Sequence, residues 1–114
     1  MKMKTSEIKF NVTVDENHLP VKLTWKAQDS GADEEQECKS VMLSIWDAAE
    51  QNTLRIDLWT KDMMVDEMKL FFHQTLVSMA NTLERATGDL ETSKDVREFA
   101  TKLAEKMNLI VDKK

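Results

Sequence analysis

Few residues in this sequence have side chains suited to catalysis or metal binding. The chain contains one cysteine, Cys38, and two histidines, His18 and His73. A Cys–His nucleophile would need Cys38 beside a histidine, and a zinc site needs three or four ligands at regular spacing. The sequence has no C-x-x-C or H-x-x-x-H motif, and its two glycines are too few for a phosphate-binding loop. We therefore expect no cofactor, no metal site and no enzymatic activity.

Carboxylates are the remaining candidates for chemistry. The acidic run 33–37 lacks the alternating ligands and the turn glycine of an EF-hand loop, so a solvated loop is the simpler interpretation. Asp57 alternates with Arg55, which favours a surface ion pair, and Asp66 suits the positive end of a helix. A small metal-dependent enzyme stays as the less favoured alternative, built on Asp57, Asp62, His73 and Cys38.

The composition is that of a single acidic domain. The chain has 114 residues, 41% of them apolar, with a net charge of −5. Glycine and proline are scarce, so we predict one domain over residues 1–114, and the acidic balance argues against nucleic acid as a partner. No apolar run approaches the roughly 20 residues of a membrane span, and none near the start suits a signal peptide. With a single cysteine, we expect a cytoplasmic protein that does not insert into a membrane.

Two periodicities predict the secondary structure. Apolar and polar residues alternate over 8–14, 21–27, 41–45 and 54–58, which predicts four strands within 6–60, and the polar stretch 28–37 reads as a loop. Apolar residues then recur at helical spacing, which predicts helices over about 65–87 and 93–108. Gly88 fits the end of the first helix, and Thr92 with Asp95 resembles a capping box for the second.

This order of elements predicts an α+β fold. Four strands with short links favour an antiparallel meander, and the two helices at the C-terminal end would pack on one face of that sheet. The expected order is ββββαα.

The other face of the last two predicted strands carries large side chains. If the helices cover the first face, these groups remain on the second one, and exposed apolar patches commonly mark association surfaces. Tryptophan and arginine are favoured anchors in protein interfaces. We therefore predict a protein-binding surface that contains Met42, Trp46, Arg55, Asp57 and Trp59.

The first predicted helix is apolar on two sides. Leu70 and Val77 lie roughly 130° from its main stripe, so the second helix or another copy of the chain should cover them. His73 lies beside this ridge, where a pH-sensitive contact or the edge of a packed helix would both suit it. We include His73 among the predicted partner-binding residues and expect the chain to form a homo-oligomer.

Several blocks of the sequence resemble the gliding motility-associated protein GldC family. The blocks lie at residues 53–63, 65–68 and 71–76, with shorter ones at 6–10, 15–18, 34–39 and 84–89. Together they cover about residues 4–90. One departure is Met64, where proline is expected at the start of the helix. The resemblance implies a small cytoplasmic accessory protein of the gliding machinery of Bacteroidetes-type bacteria, and it supplies no catalytic residues.

Two non-enzymatic functions follow from these expectations. The first is an adaptor that helps to assemble or secrete gliding components by binding protein partners of the gliding machinery. The second is a chaperone that holds unfolded chains on the same apolar surface. The predicted ββββαα order resembles that of the export chaperone SecB, which is a likeness of fold only.

Overall fold

The computed structural model describes residues 2–109 as five strands followed by two helices. The elements are β1 Ile8–Val14, β2 Pro20–Ala27, β3 Ala32–Cys38, β4 Ser40–Asp47, β5 Asn52–Trp59, α1 Val65–Thr87 and α2 Leu90–Lys106. The strands belong to one compact unit and the helices to another, divided between Met63 and Met64. The predicted domain range, 1–114, includes Met1 and residues 110–114, which lie outside the described residues.

The α+β class is correct, but the single four-stranded meander is wrong. β1, β2 and β3 form one antiparallel sheet in that order, and β4 and β5 form a second antiparallel sheet. The reason lies at Lys39, the only residue between β3 and β4. One residue cannot form a turn, so β3 and β4 cannot pair with each other, and each pairs with a different strand. The expected packing of the helices on one sheet face stays a prediction.

The acidic run predicted as a loop is largely strand β3, and this is a second correction. Glu35 accepts hydrogen bonds from the Thr24 hydroxyl and, at 3.2 Å, from the Asn11 amide. The Thr24 bond is the main cause that lowers the pKa of Glu35, and the charges of Lys22 and Lys26 act in the same direction. Hydrogen bonds first, and the positive charges of β2 second, therefore stabilise an acidic segment whose composition disfavours strand structure.

Backbone hydrogen bonds connect the two sheets. The Thr60 N–H donates to the Lys39 carbonyl at 2.9 Å, and the Lys61 N–H donates to the Pro20 carbonyl at 3.0 Å. The Lys61 Nζ also lies 2.8 Å from the Asp15 Oδ2, and Thr60 is buried. These contacts bring the end of β5 to the beginning of β2.

The two helices form a hairpin closed by the residues Gly88 and Asp89. Gly88 adopts a left-handed conformation at φ 74°, and its N–H donates to the Glu84 carbonyl at 2.8 Å. The Asp89 carboxylate caps α2 by accepting the Thr92 N–H at 3.0 Å. The second helix therefore begins at Leu90, earlier than the predicted 93, because Asp89 rather than Thr92 is the capping residue.

Small side chains lie between the paired helices. Ala80 of α1 and Ser93, Ala100 and Ala104 of α2 are buried, which lets the backbones approach closely. Arg97 of α2 reaches across to α1, where its Nη2 donates to the Asn81 amide oxygen at 2.8 Å and to Glu84 at 2.9 Å. The second helix thus covers the side of α1 that carries Ala80 and Glu84.

Candidate functional site: the tryptophan face of the second hairpin

The register of β4 and β5 brings five of the six predicted binding residues onto one face. The opposed pairs on that face are Ser40–Trp59, Met42–Asp57, Ser44–Arg55 and Trp46–Thr53. Because side chains alternate along a strand, all eight project to the same side. We call these eight residues the tryptophan face.

Two exposed tryptophans mark the ends of the tryptophan face. Trp46 is 64% exposed and Trp59 is 55% exposed. The pairs that contain them are six residues apart along the hairpin, a separation of roughly 20 Å at the rise of a strand. Met42 lies between them and is half-buried. The face therefore presents two aromatic anchors with a strip of smaller and polar side chains between them.

An ion pair occupies the middle of the strip. Arg55 and Asp57 leave β5 on the same side, and the guanidinium holds the carboxylate with two hydrogen bonds, Nε to Oδ2 at 3.2 Å and Nη2 to Oδ1 at 2.7 Å. These bonds from Arg55 lower the pKa of Asp57, and the same pairing raises the pKa of Arg55. Both side chains stay about two-fifths exposed, so the pair remains accessible to a partner.

Arg55 is held on both strands of the hairpin. Its Nη1 donates to the Ser44 hydroxyl across the strand pair. Three of its donors are thus engaged, and a guanidinium carries five. These three contacts fix the orientation of the guanidinium, and a side chain that is already ordered loses less entropy when it forms an interface.

A cleft lies beside Trp59 at the junction of the two sheets. Its volume is about 200 Å³, and it is lined by Leu19, Pro20, Asp57, Leu58, Trp59 and Lys61. The sequence prediction included Asp57 and Trp59 but missed Leu19, Pro20 and Lys61. The Lys61 N–H donates a hydrogen bond to the Pro20 carbonyl, and this contact brings the three residues together. Because the contact joins residues distant in sequence, no periodic pattern in the sequence could indicate it.

The opposite face of the same hairpin is also apolar and partly exposed. Ile45, Leu54 and Ile56 keep 46%, 49% and 48% of their surface exposed, although their alternation suggested core positions. A two-stranded hairpin has little surface of its own with which to cover such groups. The sequence pattern identified the face correctly, but it could not show how much of that face remains accessible.

His73 is not part of the hairpin register. It lies on α1, in the helical unit, and is half-buried there. The tryptophan face therefore unites Met42, Trp46, Arg55, Asp57 and Trp59 but leaves the proposed role of His73 as a separate prediction.

The residues considered for enzymatic chemistry have local structural contacts. Asp62 accepts a hydrogen bond from the Thr60 hydroxyl at 2.6 Å, which lowers the pKa of Asp62. Cys38 is half-buried, and burial raises the pKa of its thiol, so the reactive thiolate is disfavoured. Across residues 2–109, no group of three or more histidine, cysteine or acidic side chains is placed to hold a metal ion.

Within residues 2–109, neither α1 nor α2 is both long enough and apolar enough to cross a membrane.

Comparison with models of known protein families identifies a related family. The family model described as gliding motility-associated protein GldC-like matches residues 20–109, a range that runs from the start of β2 to beyond the end of α2. No curated protein matches the chain, and no solved structure matches it.

Proposed function

This chain belongs to the gliding motility-associated protein GldC-like family, and on that premise we propose that it is a non-enzymatic accessory protein of bacterial gliding that binds protein partners. The observation that carries the proposal is the tryptophan face, where Trp46 and Trp59 are more than half exposed. Exposed patches that combine several large apolar side chains commonly mark association surfaces, whereas single exposed residues do not.

The energetic case rests on the two indoles. An aromatic side chain buries about 150–250 Å² when it is fully covered, and covering the exposed part of each tryptophan would release on the order of 2–4 kcal/mol. Two such anchors, minus the cost of association, suit a specific but moderate interaction.

The shape and charge of the face indicate the kind of partner. An extended segment could reach both tryptophans, with an apolar side chain in the cleft beside Trp59 and a polar group on the Arg55–Asp57 pair. Proteins of the gliding machinery are the proposed partners. The cytoplasm is the proposed compartment, because the single cysteine cannot form an internal disulfide.

The test is the double variant Trp46→Ala with Trp59→Ala. Crosslinking in cells, followed by quantitative identification of captured proteins, should show at least a tenfold loss of the partners that the unmodified chain captures. Phe99→Ala is the matched control, because Phe99 is an aromatic residue of similar exposure, 56%, on α2. It should retain the partners. Equal capture by the double variant and the unmodified chain would show that the tryptophan face is not the binding surface.

A second candidate function is the holding of unfolded client chains. It is favoured by the exposed apolar side chains on the opposite hairpin face, Ile45, Leu54 and Ile56. The topological likeness to SecB does not support it, because residues 2–109 form five strands in two sheets rather than four in a meander. This candidate expects the protein to suppress the aggregation of several unrelated denatured clients at equimolar ratio. Failure with all of them would eliminate it.

A further inference from the structure

Strand β1 lies at the edge of the three-stranded sheet, and all seven of its residues are exposed. Its apolar side chains, Ile8, Phe10, Val12 and Val14, keep between 41% and 67% of their surface exposed. Edge strands in soluble proteins usually carry several charges, a proline or a bulge that prevents further pairing. The only charge within Ile8–Val14 is Lys9, and the sole irregularity is at the end, between Thr13 and Val14.

The backbone contacts at both ends of β1 show which residues point their hydrogen-bonding groups outward. The Gln28 N–H donates to the Glu7 carbonyl at 3.0 Å, and the Asp15 N–H donates to the Leu19 carbonyl at 2.9 Å. Glu7 and Asp15 therefore direct these groups toward their own sheet. Because direction alternates along an antiparallel strand, the odd-numbered residues of β1 face β2 and the even-numbered ones face away.

The outward groups thus belong to the residues that carry the apolar side chains. Ile8, Phe10, Val12 and Val14 each present an N–H and a C=O at the edge, and no strand within residues 2–109 pairs with them. An additional strand would gain hydrogen bonds there and would extend the apolar face of the sheet at the same time.

The sequence of β1 is complementary to itself. If two copies pair in antiparallel orientation around Asn11, Phe10 lies opposite Val12 of the second copy and Ile8 lies opposite Val14. Lys9 then lies opposite Thr13, so no two like charges meet. This register overlaps the whole strand and forms about eight hydrogen bonds, because every outward residue falls in a hydrogen-bonded pair.

We propose that β1 is a homodimer interface, in which a second copy of this chain adds its own β1 antiparallel to the first and joins two three-stranded sheets into one of six strands. We infer a second copy as the partner because β1 itself contains both members of each apolar pair, Phe10 with Val12 and Ile8 with Val14. It also contains both members of the polar pair, Lys9 with Thr13. The tryptophan face is on a different sheet, so the dimer does not depend on it.

The first test reads the register by disulfide trapping in a Cys38→Ser background. Asn11 faces β2, so Asn11 and its counterpart form a non-hydrogen-bonded pair with a Cα–Cα distance of about 4.5 Å, within the range of a disulfide. Asn11→Cys should form a covalent dimer under mild oxidation. Thr13→Cys is the control, since its counterpart would be about 13 Å away, and it should stay largely monomeric on a non-reducing gel. Equal trapping at both positions, or none at Asn11→Cys, would overturn the proposal.

The second test removes one outward hydrogen bond. Val12→Pro deletes an outward N–H and places a ring at the edge, a change that edge strands tolerate. Light scattering after size-exclusion chromatography should show a dimer for the unmodified chain and for the control Val12→Ala. Val12→Pro should dissociate at least tenfold more readily. A monomeric unmodified chain at high micromolar concentration would contradict the interface.

The two proposals fail independently. Trp46→Ala with Trp59→Ala should leave the dimer intact while partner capture falls, whereas Val12→Pro should disrupt the dimer whether or not partner capture changes. If the tryptophan double variant dissociated the dimer and Val12→Pro did not, the interface would lie on the second hairpin and the β1 proposal would be wrong.

Discussion

At the scale of single residues, the Arg55–Asp57 pair shows how a strand holds an accessible charge pair in a fixed orientation. Two residues on the same face of a strand lie close enough for a guanidinium to hold a carboxylate. Ser44 on the facing strand adds the contact that fixes the arginine. Such exposed pairs contribute little to stability, so we propose that the pair serves mainly in partner recognition.

The lowered pKa of Asp57 predicts a specific dependence of stability on pH. The folded protein favours the charged form, so the contribution of Asp57 is fully present above its unfolded-state pKa of about 3.9 and is lost as the pH falls through the lower folded-state pKa. Urea midpoints should therefore be higher for the unmodified chain than for Asp57→Asn at pH 6, and the gap should shrink below about pH 4. Glu50→Gln, a change of an exposed carboxyl in the β4–β5 turn, is the control. A gap that stayed constant from pH 6 to pH 3 would contradict this origin.

At the scale of elements, the two helix termini that meet in the hairpin are each defined by one residue. Gly88 ends α1 because its left-handed backbone suits a residue without a Cβ, and Asp89 starts α2 because its carboxylate accepts the Thr92 N–H. Strand β3 shows the opposite situation, since its acidic residue Glu35 is held by side chains of the other two strands, Thr24 on β2 and Asn11 on β1.

Substitution of Gly88 should measure the strain of the left-handed cap alone. A Cβ added at Gly88 would meet nothing within 4 Å, so steric overlap with neighbouring residues does not contribute. Gly88→Ala should lower the free energy of unfolding by about 1 kcal/mol, as measured by urea denaturation. Gly88→Asn is the matched control and should cost less, because asparagine adopts this conformation more readily. Equal losses for the two variants would point to another cause.

At the scale of the whole molecule, the chain comprises a strand unit and a helical unit of about 50–60 residues each. Units of this size bury a smaller share of their unfolded-chain surface than larger domains do, so each would be marginally stable alone. Both carry exposed apolar residues, such as Ile8 on β1 and Phe99 on α2. Because neither unit has a large core of its own among the described residues, we predict that the whole chain unfolds as one domain.

The distribution of tryptophan makes this prediction testable without mutation. All three tryptophans, Trp25, Trp46 and Trp59, lie in the strand unit, and both described helices lie in the helical unit. Tryptophan fluorescence therefore reports on one unit and far-ultraviolet circular dichroism at 222 nm mainly on the other. A single domain should give coincident urea transitions by the two signals. Two separated midpoints would show that the units unfold independently.

The features that sequence alone determined are those set within a few residues of each position. Alternation fixes which side chains of one strand share a face, which groups Met42 with Trp46 and Arg55 with Asp57 and Trp59. The expectation that apolar residues of neighbouring strands share a face then placed the two groups together, and the register of β4 and β5 agrees with this placement. The two helices could also be identified from the sequence, because apolar residues that recur every three to four positions lie on one side of a helix.

The tertiary structure alone decided what depends on partners distant in sequence. The strand at residues 32–38 pairs with β2, and its Glu35 accepts hydrogen bonds from Thr24 of β2 and Asn11 of β1. The cleft beside Trp59 likewise depends on the contact between Lys61 and Pro20. The split into two sheets followed from the single residue Lys39 between two strands that pair with different neighbours. Side-chain direction is a local consequence of backbone geometry, whereas strand pairing depends on hydrogen bonds and charges that only the folded chain brings together.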